Sequence, residues 1–215
     1  MKISSTEKKD EFIVKVHKEG MTRLNKFFKL NLKVKIDILI VKDRKMINLL
    51  MGRETEKFIV AWASNNSIFI LDRKNFIKES SHKYSKESYK ALIIHEMAHV
   101  HYNYFSGGKI NPKWLNEGIS TFVSGQNKFR KKPEKFSKFL KSYYIIGESV
   151  YKEGGFFVEF LVNKFGKNKL LKLIKSLGGI DSEKKFKIIF KKIYGFNLNY
   201  KEINKIYKEN EKENR

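Results

Sequence analysis

The sequence contains no cysteine and only two prolines, Pro112 and Pro133. Without cysteine the chain can form no disulfide framework, no thiolate metal site and no thiol nucleophile. Catalytic or metal chemistry must therefore come from histidine, carboxylate, hydroxyl or amine side chains. No apolar run approaches the roughly 18 residues that a membrane-spanning helix needs, and the first residues lack the apolar core of a signal peptide. We therefore expect no membrane segment and a cytoplasmic protein.

Acidic residues are scarce relative to basic ones. The 215 residues include 46 Lys and Arg against 23 Asp and Glu, which gives a formal net charge of +23. A charge of this sign attracts nucleic acid. Arginine, however, which recognises bases and phosphates in a bidentate manner, is rare, and lysine is spread along the whole chain. We interpret the charge as solvated surface and expect any binding to nucleic acid to be nonspecific and to weaken steeply with salt.

The composition and the hydrophobic pattern indicate one globular α+β domain. The chain is 41% hydrophobic and 14% aromatic, which is enough to build a core. A β-branched run at 34–41 predicts a buried strand, and 58–71 predicts a strand pair or a bent edge strand around the turn-prone Asn65 and Asn66. We therefore expect a small N-terminal sheet part over 1–84, a helical part over 85–208 and a disordered tail over 209–215.

Helical patterns dominate the second part of the chain, and several end near glycines. The predicted helices are 7–30, 43–50, 85–105, 112–124, 134–143, 149–165, 167–177, 182–194 and 200–208.

The most informative segment is Ala91 to Val100, which contains the pattern HExxH at His95, Glu96 and His99. On a helix, residues four apart share a face, so the two histidines can bind one metal ion while Glu96 reaches water beside it. Chance produces this pattern in roughly one such chain in a hundred, and the alternative is a pair of core histidines with ordinary partners. Burying two imidazoles and a carboxylate among apolar residues would cost on the order of a few kcal/mol for each unpaired group. A metal site is therefore the favoured interpretation.

A catalytic metal site of this type needs a third protein ligand. Glu117 lies on the second predicted helix, 112–124, which follows a Gly107-Gly108 turn and can fold back along the first helix to bring this carboxylate to the metal. His82 and His101 are the rivals. His82 lies in a polar run, and His101 lies about 200° around the helix from His99, so we expect both to face solvent. Glu117 is the preferred third ligand.

These residues resemble a known family. HEMAH followed by WLNEG is similar to the gluzincin metallopeptidases of the MA clan, in particular the aminopeptidase N and leukotriene hydrolase family and its small peptidase MA-like relatives. The resemblance implies a zincin, thermolysin-like fold and one Zn²⁺ per chain. It also implies that His95, His99 and Glu117 bind the zinc and that Glu96 is the general base.

Two further segments extend this resemblance. The segment 150–155 is similar to the family's Tyr-x-x-Gly-Ala segment, which implies that Tyr151 stabilises the oxyanion. A structural role in the core is the alternative for this tyrosine. The run 186–207 resembles the end of the peptidase MA-like domain.

The sequence departs from the aminopeptidases in one respect. Their Gly-x-Met-Glu-Asn segment supplies a glutamate that binds the substrate's free amine, whereas 58–71 contains no acidic residue. We therefore expect a peptide or protein substrate but not aminopeptidase specificity. An extended peptide could add to the edge of the strand that ends near Ile70. The alternatives are a catalytically silent zincin-fold binding module and a lysine-rich nucleic-acid-binding protein, and the sequence does not indicate an oligomeric state.

Overall fold

The computed structural model describes residues 10–213 and places a small mixed sheet before a mostly helical C-terminal part. The predicted α+β class is confirmed. The N-terminal part consists of α1 (Glu11–Phe28), β1 (Asp37–Val41), α2 (Arg44–Met51), β2 (Ala61–Ser64), β3 (Ser67–Leu71) and α3 (Arg73–Glu79). The helical part consists of α4 (Lys86–Ser106), α5 (Lys113–Ser124), α6 (Gly155–Phe165), α7 (Lys167–Lys175), α8 (Glu183–Tyr194) and α9 (Tyr200–Glu213). Within residues 10–213, no helix is long and apolar enough to cross a lipid bilayer.

The sheet has the order β1-β3-β2 within the described residues. β1 pairs parallel with β3, and β2 pairs antiparallel with β3 through the predicted turn at Asn65 and Asn66. Asn65 adopts a φ of 51°, which asparagine tolerates better than most residues. The strand that ends near Ile70 is therefore central. The prediction that it offers a free edge is wrong, and β2 is the edge strand on that side.

β1 is shorter and more exposed than predicted. It begins at Asp37, and Leu39 and Ile40 are 38% and 45% exposed. The apolar run was expected to be buried, but β1 lies at the other edge of the sheet and only Val41 is buried among its five residues. Hydrophobicity alone does not place a strand at the centre of a sheet.

Arg44 anchors the segment that leads into β2. Its guanidinium donates to the carbonyl oxygens of Ile59 (2.6 Å), Lys57 (3.2 Å) and Glu79 (2.8 Å). These bonds tie the start of α2, the approach to β2 and the end of α3 together. Helix α3, which the sequence analysis did not predict, is short and begins at the N-cap Asp72.

Helix α4 runs through the centre of the molecule. Ser85 and Ser88 cap its first turn reciprocally, and Gly107 ends it with a φ of 64°. The helix contacts α1 and α5 as well as β2, β3 and α7. Because these neighbours surround it, α4 is buried on most of its circumference, which agrees with the absence of lysine and arginine from 91–108.

The predicted helix 134–143 is wrong. The structure has only a 3₁₀ turn, Phe139–Lys141, in this segment. The Glu153 carboxylate accepts hydrogen bonds from the backbone N–H groups of Ser137 (2.9 Å) and Lys138 (3.0 Å), and Phe139 also donates to it at 3.3 Å. Phe136 and Phe139 are buried in the core. Tertiary contacts therefore hold an irregular backbone in this segment.

The C-terminal helix is longer than predicted. α9 continues to Glu213, so the expected disorder is wrong for 209–213, and 214–215 lie outside the described residues. The chain has no glycine or proline after Tyr200 to stop the helix. Lys164 on α6 pairs with Glu213 at 3.2 Å. The start of the predicted helix 7–30 also lies outside the described residues, and α1 begins at Glu11 after the N-cap Asp10.

Helix α5 packs closely against a π-helical turn, Val150–Gly154, that precedes α6. The contact depends on Gly118. A Cβ added at Gly118 would lie 2.7 Å from the backbone oxygen of Gly154 and 3.0 Å from a methyl group of Val158. Glycine at this position lets the helix backbone approach the turn that carries Tyr151.

We expect Gly118→Ala to lower the free energy of unfolding by about 1–3 kcal/mol, because backbone atoms of the turn cannot move away cheaply. Chemical denaturation monitored by circular dichroism measures this change. Gly178→Ala is the matched control, since an added Cβ there meets no atom of the described chain within 4 Å and its φ is negative. Equal losses for the two variants would contradict the packing role of Gly118.

Candidate metal centre

Two helices bring the predicted ligands together. His95 and His99 lie one turn apart on α4, and Glu117 lies on α5, which folds back along α4 after the Gly107-Gly108 turn. The N-terminus of α5 is held by a buried tryptophan, Trp114, and by backbone bonds to the carbonyl oxygens of Tyr143 (2.8 Å) and Ser142 (2.9 Å). The packing of α5 thus fixes where Glu117 meets α4.

The three side chains converge on one point. His95 Nε2 lies 3.1 Å from His99 Nε2, and the Glu117 carboxylate oxygens lie 3.4 Å from His95 Nε2 and 3.6 Å from His99 Nε2. All three ligand atoms lie within 4.8 Å of one another. Ligands about 2.0–2.1 Å from a tetrahedral ion would be roughly 3.3 Å apart. The spacing and the donor types therefore fit a metal ion.

Asn116 orients one of the imidazoles. His99 Nδ1 lies 2.9 Å from Asn116 Oδ1, and an amide oxygen can only accept, so Nδ1 carries the proton and the lone pair of Nε2 points at the cluster. Ser120 Oγ lies 3.2 Å from the same Nδ1. His95 Nδ1 is buried and has no hydrogen-bond partner among residues 10–213. The two histidines therefore differ in how firmly their rings are oriented.

The pKa values of the two glutamates of the site shift in opposite directions. Burial on its own raises the pKa of Glu117, but the nearby His99 and His95 imidazoles outweigh it and lower this pKa to about 2. Burial also raises the pKa of Glu96, and there the histidines do not reverse the shift. Glu117 therefore carries a negative charge at neutral pH, whereas Glu96 holds a proton more readily than an ordinary carboxylate.

Glu96 faces the edge strand instead of completing the ligand set. The backbone N–H of Ala63 lies near its carboxylate, an interaction that by itself lowers the pKa of Glu96. The backbone N–H of Leu71 donates to the carbonyl oxygen of Val60. Because hydrogen-bonded and non-hydrogen-bonded positions alternate along an antiparallel pair, the N–H and C=O groups of Ala61 and Ala63 point away from β3. A carboxylate thus lies between the ligand cluster and the free backbone groups of β2.

The cluster opens into a cleft of about 1940 Å³. One wall is β2 and its approach, which contribute Phe58, Ile59, Val60, Ala61, Trp62 and Ala63. The facing wall is formed by 126–135 and 146–153, which contribute Gln126, Phe129, Arg130, Ile146, Tyr151 and Lys152. His95, Glu96, His99 and Glu117 line the space between them.

The structure brings Tyr151 into this cleft, half-buried on the π-helical turn. Burial raises the pKa of Tyr151, and the negative charges of Glu117 and Glu96 raise it further, so the phenol keeps its proton. Beside it, the Arg130 guanidinium donates to the backbone oxygen of Tyr151 and lies 5.8 Å from the centre of the tyrosine ring. Burial lowers the pKa of Arg130, and Tyr151 and Glu117 counteract this effect.

The two rival histidines do not join the cluster. His82 is exposed, as predicted, and hydrogen-bonds to the carbonyl oxygen of Phe58 at 2.9 Å. His101 is not solvent-facing as predicted. It is fully buried, bonded to Met97 O at 2.9 Å and stacked on Phe28 of α1 at a centroid distance of 6.2 Å. The prediction failed because α1 covers the side of α4 opposite the ligands.

Sequence reasoning missed Arg130 as a site residue and did not assign a role to Asn116. Arg130 had one available signal, since arginine is rare in this lysine-rich chain. Asn116 lies inside the quoted WLNEG segment, but its bond to His99 requires the tertiary arrangement of α4 and α5.

Comparisons of the chain with protein-family profiles, with curated proteins and with solved structures found no match. Function is therefore inferred from the chemistry of the site itself.

We expect Glu117→Gln to weaken zinc binding by more than roughly a hundredfold, because an anionic ligand becomes a neutral one. Asn116→Leu should weaken it less, by about 10- to 100-fold, since it removes the bond that orients His99. Titration against a chelating zinc indicator measures both changes. His82→Ala is the control and should leave the affinity unchanged, and a loss there equal to that of Glu117→Gln would contradict the ligand assignment.

Proposed function

We propose that the chain is a zinc-dependent metallopeptidase with a zincin-type catalytic domain. The observation that carries the proposal is the convergence of His95, His99 and Glu117 on one point, with the non-ligand Glu96 directly beside it. Two histidines and one carboxylate form a ligand set typical of catalytic zinc. The resemblance of HEMAH and WLNEG to the gluzincins supports the same conclusion.

Zinc, when bound, supplies Lewis acidity that lowers the pKa of water to about 7 and polarises a carbonyl group. Glu96 accepts the proton of the attacking water and passes it to the leaving amine. A raised pKa suits this exchange, because the carboxylate must both take up and release the proton. The backbone N–H of Ala63 lies beside this carboxylate, at the edge strand.

The two walls of the cleft bind the peptide substrate and stabilise the oxyanion. An extended peptide can add to β2 through the N–H and C=O groups of Ala61 and the C=O group of Ala63, so recognition on this wall depends on backbone more than on side chains. The protonated Tyr151 phenol donates a hydrogen bond to the oxyanion that forms at the scissile carbonyl. The uncharged wall 58–63 offers no carboxylate for a substrate amine, which favours cleavage of internal bonds.

A catalytically silent binding module is the main alternative, and Glu96 argues against it. A buried carboxylate that is not a ligand adds an energetic cost to the site without helping to hold the ion. A role as general base explains why Glu96 is present in the site.

We expect Glu96→Gln to keep zinc and the fold while lowering kcat by roughly 10²- to 10⁴-fold, because the amide cannot accept a proton. Tyr151→Phe should lower kcat by about 10- to 1000-fold with zinc retained. The measurements are elemental analysis and the hydrolysis of an internally quenched peptide mixture, with chelated and zinc-restored protein as references. If Glu96→Gln hydrolysed peptides as fast as the parent, the activity would not belong to this site.

A further inference from the structure

Arg53 and Arg130 are the described arginines that line the cleft, and of the two only Arg130 forms no ion pair with a carboxylate. Arg23, Arg53 and Arg73 each pair with a carboxylate, Glu19 at 3.0 Å, Glu56 at 3.5 Å and Asp10 at 2.8 Å. Arg44 donates to the Thr55 hydroxyl and to the carbonyl oxygens of Ile59 and Glu79.

The partners of Arg130 do not neutralise it. They are the backbone oxygen of Tyr151 and, at 3.5 Å, the side-chain oxygen of Gln126. Within residues 10–213 it forms no ion pair with a carboxylate. A guanidinium carries five N–H donors, so several remain for a ligand.

Arg130 lies close to the proposed reaction centre. Arg130 is half-buried on the wall that also carries Tyr151, and it is close enough to Glu117 for the two charges to interact. Partial burial of a guanidinium that has no carboxylate partner costs free energy. A bound anionic ligand offsets that cost. The contact with Tyr151 fixes the guanidinium beside the proposed oxyanion donor.

Other cations lie around the same end of the cleft. Lys113 lies one helical turn before Glu117, also lines the cleft and forms no ion pair among the described residues. The wall 130–135 continues with the exposed Lys131 and Lys135, with Glu134 as its single carboxylate. The opposite wall, 58–63, is uncharged. Arg53 and Lys83 also line the cleft, but Arg53 pairs with Glu56 and the wall 58–63 itself carries no charge.

We propose that Arg130, assisted by Lys113, binds a carboxylate group of the peptide substrate next to the scissile bond, so that the enzyme selects peptides with an acidic group there. The guanidinium fork matches a carboxylate and can bind it through two hydrogen bonds. The inference rests on the proposed peptidase function and names its substrate class. The carboxylate can belong to an aspartate or glutamate side chain or to the peptide's C-terminus.

The test begins with zinc-loaded, full-length protein and a mixture of peptides whose cleavage sites are found by mass spectrometry. A preferred peptide is then made in three forms: unchanged, with the acidic side chain replaced by its amide, and with the C-terminus amidated. We expect one of the two replacements to lower kcat/KM by roughly 10- to 100-fold, mainly through KM. The form that loses activity identifies the source of the carboxylate.

Arg130→Met should reduce this preference to less than about threefold, whereas Arg130→Lys should keep part of it. The amide peptide serves as an internal control, since a displaced Tyr151 would slow both peptides equally and leave the ratio intact. Arg23→Met removes the same charge outside the cleft and should preserve the ratio. Peptide hydrolysis with no preference for a carboxylate, or a preference that survives Arg130→Met, would overturn the inference and leave the proposed peptidase function standing.

A binding measurement tests the proposed carboxylate site independently of peptide hydrolysis. Fluorescence anisotropy with zinc-loaded Glu96→Gln and labelled peptides compares the carboxylate and amide forms, with and without Arg130→Met. Selective binding that depends on Arg130 but is accompanied by no hydrolysis in the parent would support the anion site and overturn the peptidase function. Equal binding of both forms would overturn the anion site whatever the activity.

Discussion

The structure depends on the burial of three ligand side chains between α4 and α5. The ligand atoms of His95, His99 and Glu117 lie within 4.8 Å of one another in a region that also contains Glu96. Polar groups in such surroundings are costly unless each finds a partner. The same burial affects both glutamates, yet the histidines lower the pKa of Glu117 while the pKa of Glu96 stays raised. This separation supports the proposed ligand role of Glu117 and the proposed proton-transfer role of Glu96.

The second determinant is the close contact between α5 and the π-helical turn. Gly118, the glycine of the WLNEG segment, has its backbone against Gly154. One motif thus supplies a ligand, an orienting amide and the small residue that lets Tyr151 approach the cluster. Glu153 then ties the turn to 137–139 by accepting their backbone N–H groups. The ligand helix, the tyrosine and the basic wall consequently form one connected unit.

The two walls of the cleft differ in chemistry. β2 presents backbone donors and acceptors at Ala61 and Ala63 among uncharged side chains, a surface that suits any extended peptide. The facing wall presents Arg130, Tyr151 and lysines. In the proposed function, β2 would bind the peptide backbone, and Arg130 would add one charge-selective contact beside the reacting group.

The sequence alone determined the local features whose signals are short-range. Helix caps, the turn at Asn65 and Asn66, and the one-turn spacing of His95 and His99 follow from chain chemistry over a few residues, and the structure agrees with each. The placement of Glu117 was also predictable, because a glycine turn between two helical patterns forces the second helix back along the first.

Tertiary structure decided the features that depend on distant residues. Hydrophobicity could not tell that β1 lies at a sheet edge, and helical periodicity over 134–143 could not anticipate that Glu153 would bind the backbone N–H groups there. His101 is buried because α1 covers that side of α4, and Arg130 belongs to the site because the turn at Tyr151 folds against it. In each case the outcome depends on which surface packs against which, a property of the folded chain and not of any local pattern.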